Sequence, residues 1–131
     1  MMIKLQNIAV KVYLINLGVL ATHEIDSAFW HEWNLFHIPG EIDLFLVLNL
    51  VLLLFFLYGF EKVIKWEKGA VFFSYLLAFS GIFAFVIHSY FILNGHSEFT
   101  SIVSYAILSL TFVLSVVQIV LLMLMNGKVI H

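Results

Sequence analysis

The chain has 131 residues, 63% of them apolar and 11% charged, with a net charge of −2 when histidines are neutral. A soluble domain of this length is mostly surface and carries about 25% charged residues, so a soluble fold is excluded, and disorder with it. The absence of cysteine removes disulfides, thiolate metal sites and iron–sulfur clusters, and a negative balance without arginine removes a nucleic-acid footprint.

From the N-terminus, four apolar stretches predict membrane-spanning helices over Leu5–Trp30, Ile42–Phe60, Ala70–Leu93 and Phe99–Met125. The first is the least regular, because the run between Lys11 and His23 is too short to cross a bilayer. It spans if Lys11 snorkels to one interface while His23, Glu24 and Asp26 sit at or just below the other. The same segment has the layout of a signal peptide, with Lys4 and Lys11 before Val12–Leu20 and an acceptable cleavage site at Val19-Leu20-Ala21. The reading taken is an uncleaved first span. The connection His23–Asp43 is polar and aromatic with a Pro39-Gly40 turn, Glu61–Gly69 is a charged loop, and Asn94–Glu98 is a tight turn. The expected architecture is one all-α domain, an antiparallel bundle of four transmembrane helices.

All six basic residues are lysines. Lys4, Lys11, Lys62, Lys65, Lys68 and Lys128 all fall at one end of an even-numbered bundle. The positive-inside rule makes that end cytoplasmic, with both termini inside. Lys-rich, Arg-free, Phe- and Ile-rich usage suggests an AT-rich bacterial genome, hence a bacterial inner membrane. The opposite, extracytoplasmic end holds Glu24, Asp26, Glu32, Glu41, Asp43 and Glu98, with His23, His31, His37, His88 and His96, and no lysine. The sixth histidine, His131, ends the chain and is either native or a tag remnant.

Helical spacing sorts the polar residues onto faces. Asn16, His23 and Trp30 recur every seven residues, as do Ser74, Gly81 and His88, and Ser97, Ser104, Thr111 and Gln118; Asn49 lies inside the second span. In lipid such stripes turn inward, because acyl chains leave polar atoms unpaired. The result is a polar seam of Asn16, Asn49, Ser104, Thr111 and Gln118. His23 and His88 lie at similar depth on two helices running the same way. Imidazoles and carboxylates without thiolates suit zinc or another divalent first-row ion. The expected ligands are His23, Asp26 and His88, helped by His37, Asp43 or His96, with Glu24 or Glu32 as general base. No established metal motif is matched: His23-Glu24 is followed by Ile25, Asp26 and Ser27, so there is no HExxH. Each residue also has a plainer role. His31 and His37 suit an interfacial loop, His88 a buried imidazole bonded to a serine or carbonyl, and His23 with Asp26 a helix-end pair.

The segment HEIDSAFWHEW followed by HIPGEID resembles small uncharacterised bacterial membrane proteins with four spans. The resemblance implies four helices in one bundle and no established activity. Four functions follow from the residues. One is a metal-dependent enzyme hydrolysing a lipid-like amide or ester. A second is a non-enzymatic binder or carrier of a metal ion, proton or small lipophilic ligand, with the seam as its path. The third is haem b ligation by His23 and His88, disfavoured by the carboxylate ring and the missing arginine. The last is an accessory subunit. Partners expected are the lipid bilayer, a lipid-like or small-molecule ligand, and a second copy of the chain in a homo-oligomer.

Overall fold

Long apolar runs without proline satisfy their backbone groups internally, and in a membrane they do so as helices. The computed structural model describes residues 1–126, so Lys128 and His131 lie outside the described residues. Its elements are α1 (Met2–Phe29), α2 (Glu32–Leu35), α3 (Glu41–Lys65), α4 (Ala70–Leu93) and α5 (Ile102–Asn126). Four of them, with 28, 25, 24 and 25 residues, are long and apolar enough to cross a membrane. At 1.5 Å per residue they measure roughly 36–42 Å, more than a hydrocarbon core of ~30 Å. The chain is an all-helical integral membrane protein.

The boundaries differ from the expected spans where local chemistry extends or breaks a helix. The second span continues past Phe60 to Lys65, its last turn carrying a Lys65–Glu61 pair at 2.7 Å. Trp66 then closes it in the left-handed conformation, and Glu67 N–H bonds back to the Lys62 carbonyl at 3.0 Å. The fourth span starts at Ile102, because Phe99 takes φ 62° and turns its ring into the protein instead of opening the helix. The polar connection after α1 contains α2, a single turn that the sequence pattern does not announce. Gly40, at φ 80°, makes the reversal from this segment into α3, a conformation free of cost only to glycine.

α5 packs closely on both α1 and α4, and α3 packs on α1 and α4 without touching α5 among the described residues. Close approach of α4 to α5 depends on Gly81. A β-carbon there would collide with the Ser115 hydroxyl and stand 2.7 Å from Thr111 Oγ1. Beside it lies a closed polar network. Asn16 Nδ2 donates to Ser115 Oγ (3.0 Å) and Gln118 Oε1 (3.1 Å), Thr111 Oγ1 donates to Asn16 Oδ1 (2.9 Å), and Gln118 Nε2 donates to the Ser74 carbonyl (2.7 Å). All four side chains are buried. α3 is held chiefly in its later half, where Tyr13 donates to the Phe56 carbonyl at 2.9 Å and Phe56, Gly59 and Val63 are buried. Of its earlier half only Phe45 is buried.

Candidate functional site

The seven-residue spacings place His23 near the end of α1 and His88 near the end of α4, and with both helices packed on α5 their rings stand 4.6 Å apart between centroids, edge to face. Both are 1% exposed. α2 folds back over this end of the bundle. Left-handed His31 (φ 54°) reverses the chain, so the next residue, Glu32, points inward while His31 stays outside against Trp33. Phe36, just past α2, lies 6.5 Å from the His88 ring. Phe99 covers the imidazoles, its ring 4.3 Å from His88 and 5.8 Å from His23.

The protonation pattern follows from the partners. His88 Nδ1 lies 2.7 Å from the Ala84 carbonyl. A carbonyl only accepts, so Nδ1 carries a proton. His23 Nε2 meets Ser27 Oγ at 3.5 Å, and its Nδ1 has no hydrogen-bond partner among the described residues. Burial raises the Glu32 carboxyl, but His88, Ser27 and His23 beside it outweigh burial and hold it below the usual carboxylate range. Glu32 is therefore an acceptor. Its Oε1 lies 3.7 Å from His88 Nε2, too far for a hydrogen bond. His23 Nδ1, His88 Nε2 and Glu32 Oε2 are all buried without a hydrogen-bond partner among the described residues. One ligand atom from each of these three residues lies within 4.8 Å of the others. The two imidazoles and the carboxylate thus meet at one buried point, each with an unpartnered atom.

Asp26, expected beside His23, lies outside this group. Its Oδ1 accepts from Trp30 Nε1 at 3.1 Å, and the same N–H reaches Ser104 Oγ at 3.3 Å, so Asp26 is drawn toward α5 while His23 faces α4. Glu32, expected as a base, holds the third position. His37, Asp43 and His96 are exposed and also lie outside the group; His96 is 3.5 Å from Glu98. Glu24 lines a cavity of about 550 Å³ between α3 and α4 that also reaches His23, Glu32 and His88. Of the seam, Asn16, Thr111, Ser115 and Gln118 form the closed network, and Ser104 bonds to Ser101 at 2.8 Å. Asn49 stands apart, its side chain bonded to the Phe45 carbonyl at 3.0 Å on the α1–α3 flank. Sequence reasoning missed Phe99, which carries no polar signal. Glu32 was expected at the site as a base and not as a ligand; the repeated His-Glu pair at 23–24 and 31–32 marks it in the sequence.

No curated protein and no solved structure matches the chain. A family model does, over residues 9–125, a stretch that includes His23, Glu24, Glu32, His88 and Phe99. With most of its length matched, including every residue of this site, the chain belongs to the Family of unknown function (DUF6713).

Proposed function

We propose that His23, Glu32 and His88 hold a divalent ion of zinc type, and that the chain is a membrane enzyme that uses it to hydrolyse a lipid-like ester. The observation that carries this is the convergence of two buried imidazoles and a carboxylate, each with an unpartnered side-chain atom. Leaving such atoms unpaired in a buried site is costly, and a cation satisfies all three at once. Two imidazoles and one carboxylate are a donor set of catalytic zinc sites, which keep a fourth position open. The Ala84 carbonyl orients His88 as outer partners of metal ligands do. The imidazole rings, 4.6 Å apart edge to face with Phe99 packed on both, favour a single ion over a haem.

A bound ion would polarise the substrate carbonyl and ease deprotonation of water. Glu24, on the wall of the same cavity, is the general base. Water adds to the carbonyl carbon as its proton passes to Glu24. The acyl C–O bond then breaks, and that proton moves to the departing alkoxide, leaving a carboxylic acid and an alcohol. The closed Asn16–Gln118 network favours this reading over a carrier, because its polar atoms are spent on one another and offer no hydrated path. The described lysines sit at the opposite end of the bundle, so we place the site on the extracytoplasmic side of a bacterial inner membrane.

The test is metal content of protein purified without a histidine tag, followed by zinc titration and turnover of a fluorogenic lipid ester. His88→Ala and Glu32→Gln should lose zinc, while Asp26→Asn and His96→Ala keep it. Glu24→Gln should bind zinc but lose turnover at least a hundredfold. Unchanged zinc binding in both His88→Ala and Glu32→Gln sinks the metal site. Zinc binding without ester turnover in the wild type leaves a binder in place of an enzyme.

A further inference from the structure

The earlier half of α3 stands away from the bundle, and a crevice opens on each of its flanks. The crevice between α1 and α3 has a volume of about 350 Å³, with Glu24 and Asn49 as polar points in an otherwise apolar wall. The crevice between α3 and α4 is the cavity of about 550 Å³ that ends on His23, Glu32 and His88. Leu20, Glu24 and Leu52 line both, so the two meet behind α3 at Glu24. Both volumes fall in the range of ligand sites, ~300–1,000 Å³.

The walls of both crevices run out onto the lipid-facing surface. Leu50, in the first, is 57% exposed, and Phe83, in the second, is 63% exposed. A crevice continuous with that surface is filled by what the bilayer supplies, namely hydrocarbon chain. Two crevices that join at a single polar point match two chains that join at a single polar junction. The charge of the junction is also constrained. Glu24 and Glu32 line the junction, and all described lysines lie at the far end by chain order. Apart from the proposed ion, an anionic phosphate would meet only carboxylates, whereas a glycerol hydroxyl donates a hydrogen bond to them.

We propose that this site takes an uncharged two-chain lipid ester of the diacylglycerol type. It enters sideways past α3, with one chain in each crevice and its glycerol junction at Glu24. The proposal names the substrate class of the hydrolase reading and rests on it for the chemistry, but binding is testable without it.

The experiment uses the full chain in phosphatidylcholine nanodiscs. Three photoactivatable probes are compared at equal mole fraction: a diacylglycerol with a diazirine in each chain, the matching monoacylglycerol, and the matching phosphatidic acid. Diacylglycerol should label saturably both the Leu46–Leu53 stretch of α3 and the Phe79–Ile87 stretch of α4, at least tenfold above the other two probes. Ala21→Trp fills the first crevice and Ser80→Trp the second. Each should lower labelling on both walls, because both chains belong to one molecule. Ala21→Leu and Ser80→Leu serve where a Trp variant does not fold, and the comparison of probes on wild type needs no variant. Equal labelling by phosphatidic acid or monoacylglycerol overturns the proposal. So does a filled crevice that leaves the opposite wall unaffected, which would mean two unlinked grooves. Zinc titration of the same wild-type sample separates the two readings. Zinc binding without saturable labelling sinks the lipid proposal alone, and the expected labelling without zinc binding sinks the metal reading alone.

Discussion

Replacing Gly81 by alanine sets three effects against one another, and the structure decides the winner. In an unconstrained helix, alanine is favoured over glycine by about 1 kcal/mol. At Gly81 the added β-carbon collides with the Ser115 hydroxyl and lies 2.7 Å from Thr111 Oγ1 and 3.2 Å from the Thr111 carbonyl. The last atom is backbone, so rotating a side chain does not relieve the contact; α4 and α5 must separate. Overpacking of this kind costs about 1–3 kcal/mol. Displacing the two hydroxyls also breaks their bonds with Asn16, worth about 0.6 kcal/mol each in a membrane. The net prediction is a loss of about 1–3 kcal/mol. Gly18, on a lipid-facing part of α1, is the control, because a β-carbon there meets nothing within 4 Å. Gly18→Ala should be neutral or stabilising by up to about 1 kcal/mol. The assay is reversible unfolding by SDS in mixed micelles, followed by tryptophan fluorescence. His88 sits two turns beyond Gly81 on the same helix, so Gly81→Ala should also weaken zinc binding. A Gly81→Ala protein as stable as Gly18→Ala would refute the close-packed seam.

Phe99→Ala removes the buried ring over both imidazoles; chelator should strip bound zinc at least tenfold faster, and an unchanged rate would show that Phe99 does not shield the site. Zinc affinity should fall as the pH is lowered, because protons compete for the imidazole lone pairs; calorimetric titration across a pH series checks the sign, and an affinity that rises on acidification removes histidine from the ligand set. Cysteines placed at Asn94 and Lys65, at opposite ends of α4 and its preceding loop, should react with an impermeant reagent from opposite faces of the membrane; labelling of both from one face would end the four-span topology.

Much of the molecule is legible in its sequence, because a bilayer reduces the choice of secondary structure to a question of length and polarity. Apolar runs without proline predict the four long helices, and lysine placement separates the two ends. Heptad spacing puts Asn16, His23, Ser74, Gly81, His88, Ser104 and Thr111 on inward faces, and all seven are buried. The tertiary structure alone decides which partner each of these meets. Spacing defines a face of a helix but not the atoms a neighbouring helix presents to it, so Asp26, one turn from His23, goes to Trp30 while Glu32 arrives from outside the helix. Glu32 and Phe99 are placed by left-handed residues in connections, where no periodicity constrains direction and non-local packing settles the conformation. The crevices beside α3 exist because its apolar face is satisfied equally by lipid and by protein. Hydropathy cannot tell those two surroundings apart, and only the packing of the helices does.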